Sequence, residues 1–182
     1  SITKGADIVT FSADKLLGSC QTGIIVGQND LVNRIRKHPL ARALRVDKLT
    51  LSVLESTLKL YLNDDFIEKI PTLRMISLKP EIIKNRCEKI VTEIEKSFSN
   101  LQIAIKPSFA LAGSGSFPTQ NIPSYSIVIK PNISAEKFAK ELRMNNPPVF
   151  VRIENDLIFI DPRTLMENED MEVVQILVKF FG

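Results

Sequence analysis

Lys15 has surroundings that favour chemistry over a plain surface position. It stands in FSADKLLGSCQTG, residues 11–23, directly after the apolar run at residues 8–11 and three positions before Gly18. The run is typical of a buried strand, and a turn that contains glycine holds the lysine by its backbone. An amine withdrawn from water is available in its neutral, nucleophilic form. Such an amine attacks aldehydes, and pyridoxal phosphate is the common aldehyde cofactor. The alternative is a solvated surface lysine.

Three other polar residues near this segment each allow a plain structural role. Asp14 either orients Lys15 or serves the turn itself. For Cys20, a packing role as a small buried hydrophobe is favoured over a redox role. His38 precedes Pro39 and is predicted to end a helix.

Two arginines in PLARALRVDK form the second candidate site. Arg42 and Arg45 are three residues apart, so one helical turn would direct both side chains the same way. Two guanidinium groups that converge bind a phosphate-like anion through forked, charge-assisted hydrogen bonds. The alternative is a solvated basic face before a helix. Asp47 is predicted to cap that helix and to have no part in catalysis.

Two further features, in the second half of the chain, remain open. The segment AGSGSFPTQNIPS, residues 112–124, is either an exposed loop or a phosphate-binding loop, and a single GxG is weak support for the latter. Arg152 lies between Val151 and Ile153 in a predicted strand. Its position predicts a cross-strand ion pair with Asp161 or another acid.

The elements that must position these residues follow from periodicity. Short strands are predicted at residues 8–11 and 24–26, joined as a hairpin or tight crossover, and a short helix at residues 30–37. Asp47 begins a strong helix with apolar residues at helical spacing. A second amphipathic helix follows Pro80, and its predicted apolar face comprises Ile83, Cys87, Ile90, Ile94 and Phe98.

From about residue 79 the predicted order is helix, strand, strand, helix, strand, strand, helix. The strands include alternating residues up to Ile129, a further alternation at Val149, Val151 and Ile153, and a continuous apolar run at residues 157–160. This order predicts an α+β domain, an antiparallel sheet with helices on one face. We place the boundary at 63/64: residues 1–63 are predicted to be the tail of one domain, and residues 64–182 a small complete one.

Composition limits the class of protein. The 182 residues are 44% hydrophobic and 25% charged, as in globular proteins, and a formal net charge of +3 permits an anionic partner without requiring one. Cys20 and Cys87 form no CxxC pair, which argues against a zinc site or disulfide framework and favours a reducing compartment, here the cytoplasm. No apolar run approaches the roughly 20 residues that span a bilayer.

Several separated motifs, in order, carry a resemblance to a known family. GADIVTFSADKLLGSCQTGIIVG resembles the cofactor-lysine segment of fold-type I pyridoxal-phosphate enzymes. FSADKLLGSCQTGIIVG followed by HPLARALRVDKLTLSVLESTLKLYL is similar to the bacterial selenocysteine synthases, the L-seryl-tRNA(Sec) selenium transferases. GSGSFPTQNIPSYSIVI and NPPVFVRIENDLIFIDPRTL fit the C-terminal region of that family. The chain therefore resembles a C-terminal fragment, with residues 1–63 as the tail of the large pyridoxal-phosphate domain and residues 64–182 as the small domain.

The resemblance implies an activity and site residues. Lys15 would carry pyridoxal 5'-phosphate and then act as acid and base, with Asp14 beside it, and Arg42 and Arg45 would bind selenophosphate. The family converts seryl-tRNA(Sec), through aminoacrylyl-tRNA, to selenocysteinyl-tRNA(Sec). The resemblance also implies a ring-shaped homo-oligomer, a decamer, and it offers a substrate-binding role for Arg152 as the alternative to an ion pair. From the composition, neither a membrane partner nor a metal is expected.

Two other classes of function stay open. One is a different β-eliminating enzyme of fold-type I, such as a sugar-acid ammonia-lyase, and the other is a non-catalytic assembly module. The run at residues 8–11 would need neighbouring strands that the 182 residues lack, so the chain is expected to be the C-terminal part of a longer protein. We expect it to be inactive by itself.

Overall fold

The computed structural model describes residues 1–98, 101–113, 121–166 and 168–181. Contacts between Cα atoms divide the chain into two compact units, Ser1–Ser77 and Leu78–Gly182. This division lies after the predicted boundary at 63/64. The residues between the two positions pack within the first unit: the Phe66 ring lies 5.2 Å from the ring of Tyr61, and Ile70 is buried against Gly18.

The first unit begins with a β-hairpin. Strand β1, Ile8–Ser12, pairs antiparallel with strand β2, Gly23–Gly27, with Ile8 opposite Gly27 and Ser12 opposite Gly23. The predicted pair of strands is thus confirmed as a hairpin. Burial of β1, by contrast, is not achieved within this chain, because Phe11 is 42% exposed and Ile8 and Val9 are only half-buried.

Five helices follow the hairpin in the first unit: α1 Asn29–Lys37, α2 Pro39–Ala43, α3 Lys48–Leu60, α4 Phe66–Lys69 and α5 Pro71–Ser77. Helices α1 and α3 confirm the two predicted there. Asp47 caps α3 as expected: its Oδ1 accepts hydrogen bonds from the amides of Leu49 and Thr50 at 2.7 and 3.0 Å. The Thr50 hydroxyl has the largest effect on the Asp47 carboxylate, and together with the two amides it holds the pKa of Asp47 below its ordinary value.

The second unit has the predicted order of elements. The elements are α6 Pro80–Glu95, β3 Ile103–Ala110, β4 Ile122–Ile129, α7 Ala135–Met144, β5 Arg152–Glu154, β6 Leu157–Ile160 and α8 Glu169–Phe181. The four strands form one antiparallel sheet in the order β3-β4-β6-β5.

One closed hydrophobic core joins the three helices of this unit to a single face of the sheet. Alternate strand residues such as Ile127, Ile129 and Ile158 are fully buried in it. The predicted apolar face of α6 is confirmed, since Ile83, Cys87, Ile90 and Ile94 belong to the core and Phe98 packs against it. A core of this kind stabilises a small domain by removing apolar surface from water.

The alternation at Val149, Val151 and Ile153 forms less strand than predicted. Strand β5 covers only Arg152–Glu154, because the amide of Val149 donates to the carbonyl of Leu142 at the end of α7. Val149 is nevertheless buried. The alternation therefore reports burial correctly, while the backbone hydrogen bonds of this segment go to a helix end.

Candidate active site

Lys15 lies in a hydrogen-bonded turn directly after β1. Residues 13–22, which we call the lysine loop, close on themselves: the amide of Ala13 donates to the carbonyl of Thr22 at 2.8 Å, and the amide of Ser19 donates to the carbonyl of Ala13 at 2.9 Å. The amide of Gly18 donates to the carbonyl of Lys15 at 3.1 Å. The backbone that carries the lysine is therefore held at both ends of the loop.

Gly18 is required by the shape of this turn. Its φ of +71° is in the left-handed region, which glycine adopts at low cost. A Cβ atom at this position would also lie 2.6 Å from Cγ2 of Ile70, closer than side chains tolerate. The loop thus lies flat against the start of α5.

The Lys15 side chain itself is not withdrawn from water in this chain. It is 44% exposed, and its Nζ lies 3.3 Å from Oδ2 of Asp14. The expected desolvation is therefore wrong for these 182 residues, because the hairpin faces next to the loop are open. Asp14 does contact the amine, as one of its two predicted roles requires, and an ion pair this exposed orients a side chain more than it stabilises a fold.

Arg42 and Arg45 line one cavity of about 730 Å³, although α2 ends at Ala43 between them. Arg36, Lys37 and His38 line the same cavity. Sequence reasoning missed Arg36 and Lys37 as members of this cluster. The signal that could have found them is the basic last turn of α1, which Pro39 brings back beside α2.

The other candidates have structural partners. His38 ends α1 as predicted, and its Nδ1 also accepts a hydrogen bond from the amide of Leu40 at the start of α2. The Arg152 guanidinium lies 3.9 Å from Glu154 and over the ring of Phe159, so Asp161 is not its partner. Asp161 instead accepts from the amide of Arg163.

The segment at residues 112–124 is described only in part. Residues 114–120, which include most of its glycine and serine positions, lie outside the described residues, and the choice between exposed loop and phosphate loop stays a prediction. Ser124 is buried at the start of β4, where its hydroxyl accepts from Nε of Arg163 at 3.4 Å.

Sequence reasoning also missed Arg163 as a buried charge. Its side chain is 3% exposed and donates to the carbonyls of Leu78 and Pro123 at 2.9 and 2.7 Å. Burial lowers its pKa, and the nearby carboxylate of Asp161 partly offsets that effect. These bonds make Arg163 a bracket between the chain just before α6 and strand β4.

No group of three or more His, Cys, Asp or Glu side chains among the described residues could hold a metal ion. Within the same ranges, no helix has the length and apolar character needed to cross a bilayer.

A family model described as SelA, L-seryl-tRNA selenium transferase, matches residues 1–166. The chain belongs to this family. Relatives named L-seryl-tRNA(Sec) selenium transferase include those of Carboxydothermus hydrogenoformans, 44% identical over 169 residues, and Moorella thermoacetica, 42% identical over 183 residues. A third, from Clostridium botulinum, is 38% identical over 177 residues. The predicted resemblance is thus confirmed.

This member of the selenium transferase family is much shorter than those relatives. The alignments cover 92%, 98% and 96% of this chain but only 36%, 38% and 38% of the three relatives. The chain therefore spans little more than a third of the length of the proteins that carry the name.

A solved structure supports the fold. A D-glucosaminate-6-phosphate ammonia-lyase aligns with 98% of this chain and 44% of its own, with a TM-score of 0.59 and 17% identity. At that identity the likeness shows a shared arrangement of helices and antiparallel strands and carries no information about the reaction.

Proposed function

We propose that this chain provides the cofactor lysine and the anion site of a pyridoxal-phosphate-dependent selenium transferase. In its full-length form the enzyme converts seryl-tRNA(Sec) to selenocysteinyl-tRNA(Sec) with selenophosphate. The observation that carries the proposal is the position of Lys15: it lies in a closed turn at the end of β1, inside the part of the chain that the family model matches.

The residues around Lys15 fit an aldehyde cofactor. The turn fixes the backbone while the amine stays reachable, and the Asp14 carboxylate 3.3 Å away orients it. Pyridoxal phosphate, when bound, supplies an electron sink that makes a proton on the carbon next to an amine removable. Lys15 would hold that group through its amine when no substrate is bound.

Once released, the Lys15 amine is free to carry protons. Its side chain is flexible and 44% exposed, so it would take the proton from the α-carbon of the seryl group and donate one to the departing hydroxyl. Arg42 and Arg45 would hold selenophosphate through charge-assisted hydrogen bonds while its selenium adds to the β-carbon of the aminoacrylyl group and its proton goes to the α-carbon. Water would then break the P–Se bond, so that phosphate leaves and the selenol of selenocysteine remains.

The distribution of charge supports a polyanionic substrate over a sugar acid. Residues 34–48 contain six Lys or Arg and one acid, Asp47, which caps α3. Residues 78–182 contain 13 basic and 13 acidic residues. The net charge of +3 thus belongs to the first unit, where a tRNA phosphate backbone would meet it.

We extend the proposal to assembly and location. The full-length enzyme would be a ring-shaped homo-oligomer, a decamer, in the cytoplasm, and the 182 residues alone would be inactive. Exposed apolar side chains on the first unit support this, since such surfaces mark interfaces. Sedimentation of the full-length protein tests the assembly. A Lys15-dependent visible absorbance on adding pyridoxal phosphate to this chain alone would contradict its inactivity.

The decisive experiment uses the full-length enzyme with Lys15→Ala and a matched Lys4→Ala control. We expect borohydride to attach the cofactor to Lys15 in the wild type and the control, and selenocysteinyl-tRNA(Sec) formation to fall about 100-fold or more only in Lys15→Ala. Trapping at another side chain would overturn the proposal. Release of ammonia from sugar acids without selenium transfer would favour the ammonia-lyase alternative. Full selenium transferase activity of Lys15→Ala would favour the alternative that this chain is a non-catalytic assembly module.

The anion site has its own test. Arg42→Ala and Arg45→Ala are each expected to raise the KM for selenophosphate by roughly tenfold, the equivalent of one charge-assisted hydrogen bond pair. Arg34→Ala is the control. Arg34 is exposed like Arg42 and Arg45, but it lies on α1 and lines a different cavity. Equal KM values in all three variants would remove the anion site from the proposal.

A further inference from the structure

The lysine loop runs lengthwise along helix α3. Tyr61, the residue that ends α3, donates its hydroxyl proton to the carbonyl of Leu17 at 2.9 Å. The Ser19 hydroxyl donates to Oγ1 of Thr57 at 3.0 Å. A weaker bond joins Sγ of Cys20 to the carbonyl of Thr50 at 3.5 Å. Later loop residues thus contact earlier turns of the helix.

The three helical positions in these contacts share one face. Thr50, Thr57 and Tyr61 are separated by seven and then four residues, which is two turns and then one. Oγ1 of Thr57 also donates to the carbonyl of Val53 within the helix at 3.1 Å, so its hydroxyl is satisfied on both sides. One helix face therefore holds the loop by side-chain hydrogen bonds.

The contact that Tyr61 makes is itself held in place. Its ring lies against Phe66 with centroids 5.2 Å apart. Burial raises the pKa of the Tyr61 hydroxyl, so the group remains a hydrogen-bond donor. Thr57 is buried as well. By contrast, the Lys15 side chain is exposed and contacts only Asp14 among the ion pairs of the described residues. The hydrogen bonds from α3 thus hold the loop backbone in place, while the Lys15 amine is free to move.

The opposite end of α3 begins beside the arginines. Asp47 caps the helix two residues after Arg45, and the helix is 13 residues long, about 20 Å at 1.5 Å per residue. The same rigid element thus starts next to the proposed anion site and holds the lysine loop along its length.

We propose that α3 is a rigid support that sets the position of Lys15 relative to Arg42 and Arg45, and that Thr57 and Tyr61 are its positioning residues. This inference rests on the proposed function. A lysine that alternates between holding a cofactor and carrying protons must return to the same place in each cycle, and a misplaced amine slows proton transfer steeply. The hydrogen bonds from α3 hold the loop backbone in that place while the side chain moves.

The first test replaces Tyr61 by Phe in the full-length holoenzyme. The change removes one hydroxyl and keeps the ring against Phe66. The matched control is Tyr125→Phe, since Tyr125 is the other tyrosine of the chain and lies in the second unit. We expect Tyr61→Phe to lower kcat roughly fivefold with the KM for seryl-tRNA(Sec) unchanged. We also expect a shift in the pH midpoint of the visible band of the bound cofactor. Tyr125→Phe should change neither.

The second test uses a conservative rescue at Thr57. Thr57→Val keeps the shape of the side chain and removes the hydroxyl, whereas Thr57→Ser keeps the hydroxyl. Thr57→Val should reproduce the loss in kcat and the shifted midpoint, and Thr57→Ser should restore both. Combining Thr57→Val with Ser19→Ala should add little to either single change, because both remove the same hydrogen bond.

Specific outcomes would overturn the positioning role of α3 and leave the proposed function standing. Wild-type kcat and pH midpoint in both Tyr61→Phe and Thr57→Val would do so, as would equal behaviour of Thr57→Val and Thr57→Ser. A lower thermal midpoint with unchanged kcat would show a structural bond only, and it too would overturn the inference. Failure of borohydride to label Lys15 in the wild type would instead overturn the proposed function.

Discussion

The two units of this chain differ in how they bury apolar side chains. The second unit closes a core of fully buried residues such as Ile90, Ile158 and Leu177. In the described part of the first unit, only Ala13 and Ile70 are buried apolar residues. Large apolar side chains stay exposed there, including those of Leu44, Leu49 and Leu62. The second unit buries its core side chains within itself, whereas the first unit leaves apolar surfaces exposed that are suited to contact with further protein.

Separating the units gives the largest expected effect. Residues 78–182 alone should unfold in one cooperative thermal transition, because their core is closed within the unit. Residues 1–77 alone should show no cooperative transition, since few of their apolar groups leave water. Circular dichroism during heating measures both. A sharp transition for residues 1–77 would erase the contrast between the units.

Single truncations sharpen the same contrast within the 182-residue chain. Leu177→Ala should lower the free energy of unfolding by about 3 kcal/mol, because the side chain is fully buried in the core. Leu62→Ala should change it by less than about 0.5 kcal/mol, because Leu62 is 85% exposed. Urea denaturation followed by circular dichroism gives both values. Equal losses would mean that Leu62 is covered in solution.

Variants of Arg163 and Arg152 test how much a buried and an exposed arginine each contribute to the stability of the second unit. Arg163→Met should cost about 2–3 kcal/mol of unfolding free energy, since it leaves the carbonyls of Leu78 and Pro123 without their charged donor. Arg152→Met should cost less than about 0.5 kcal/mol, because its pairing with Glu154 is exposed. The same urea titration separates them, and a smaller loss for Arg163→Met than for Arg152→Met would contradict the bracket role.

The two cysteines give the smallest effect. Burial raises the pKa of the Cys87 thiol to about 12 from 9.0, with the carboxylate of Asp161 adding to it and Arg86 opposing it. Unfolding lets this thiol ionise first, so its contribution to stability is complete below pH 9 and declines as the pH rises from there towards 12. Cys87→Ala should flatten the fall in the urea midpoint between pH 8 and 10.

Alkylation of the native chain at pH 8 provides the companion measurement. Cys20 in the half-buried lysine loop should react before Cys87, which is fully buried in the core. Equal rates for the two thiols would show that the second unit opens as readily as the first.

Local patterns in the sequence were sufficient for most of the secondary structure. The capped helix after Asp47, the helix after Pro80 and the alternating strands around Ile127 were all predicted and are confirmed. In the turn before Leu157, Asn155 and Asp156 adopt positive φ values of 50° and 57°, as the residues of a tight hairpin turn do. These features depend on neighbours within a few residues, which is why a sequence shows them.

The candidate site was predictable in its residue types and only partly in its arrangement. Lys15 in its turn and the pair Arg42 and Arg45 were found by motif and spacing, and the structure brings the two arginines to one cavity. The membership of Arg36 and Lys37 was missed, because it depends on how α1 and α2 meet at Pro39. Exposure of Lys15 was also missed, since burial depends on what covers the hairpin faces.

The sequence by itself therefore determined the longer helices, most of the strands, the family and the lysine that the proposed chemistry needs, because each of these is encoded in short-range periodicity or in contiguous motifs. Only the tertiary structure decided that Tyr61 and Thr57 hold the lysine loop and that Arg163 is buried. These contacts join residues 38 to 85 positions apart. Their hydrogen bonds depend on distances and angles set by packing, and no local pattern of residue types encodes such geometry.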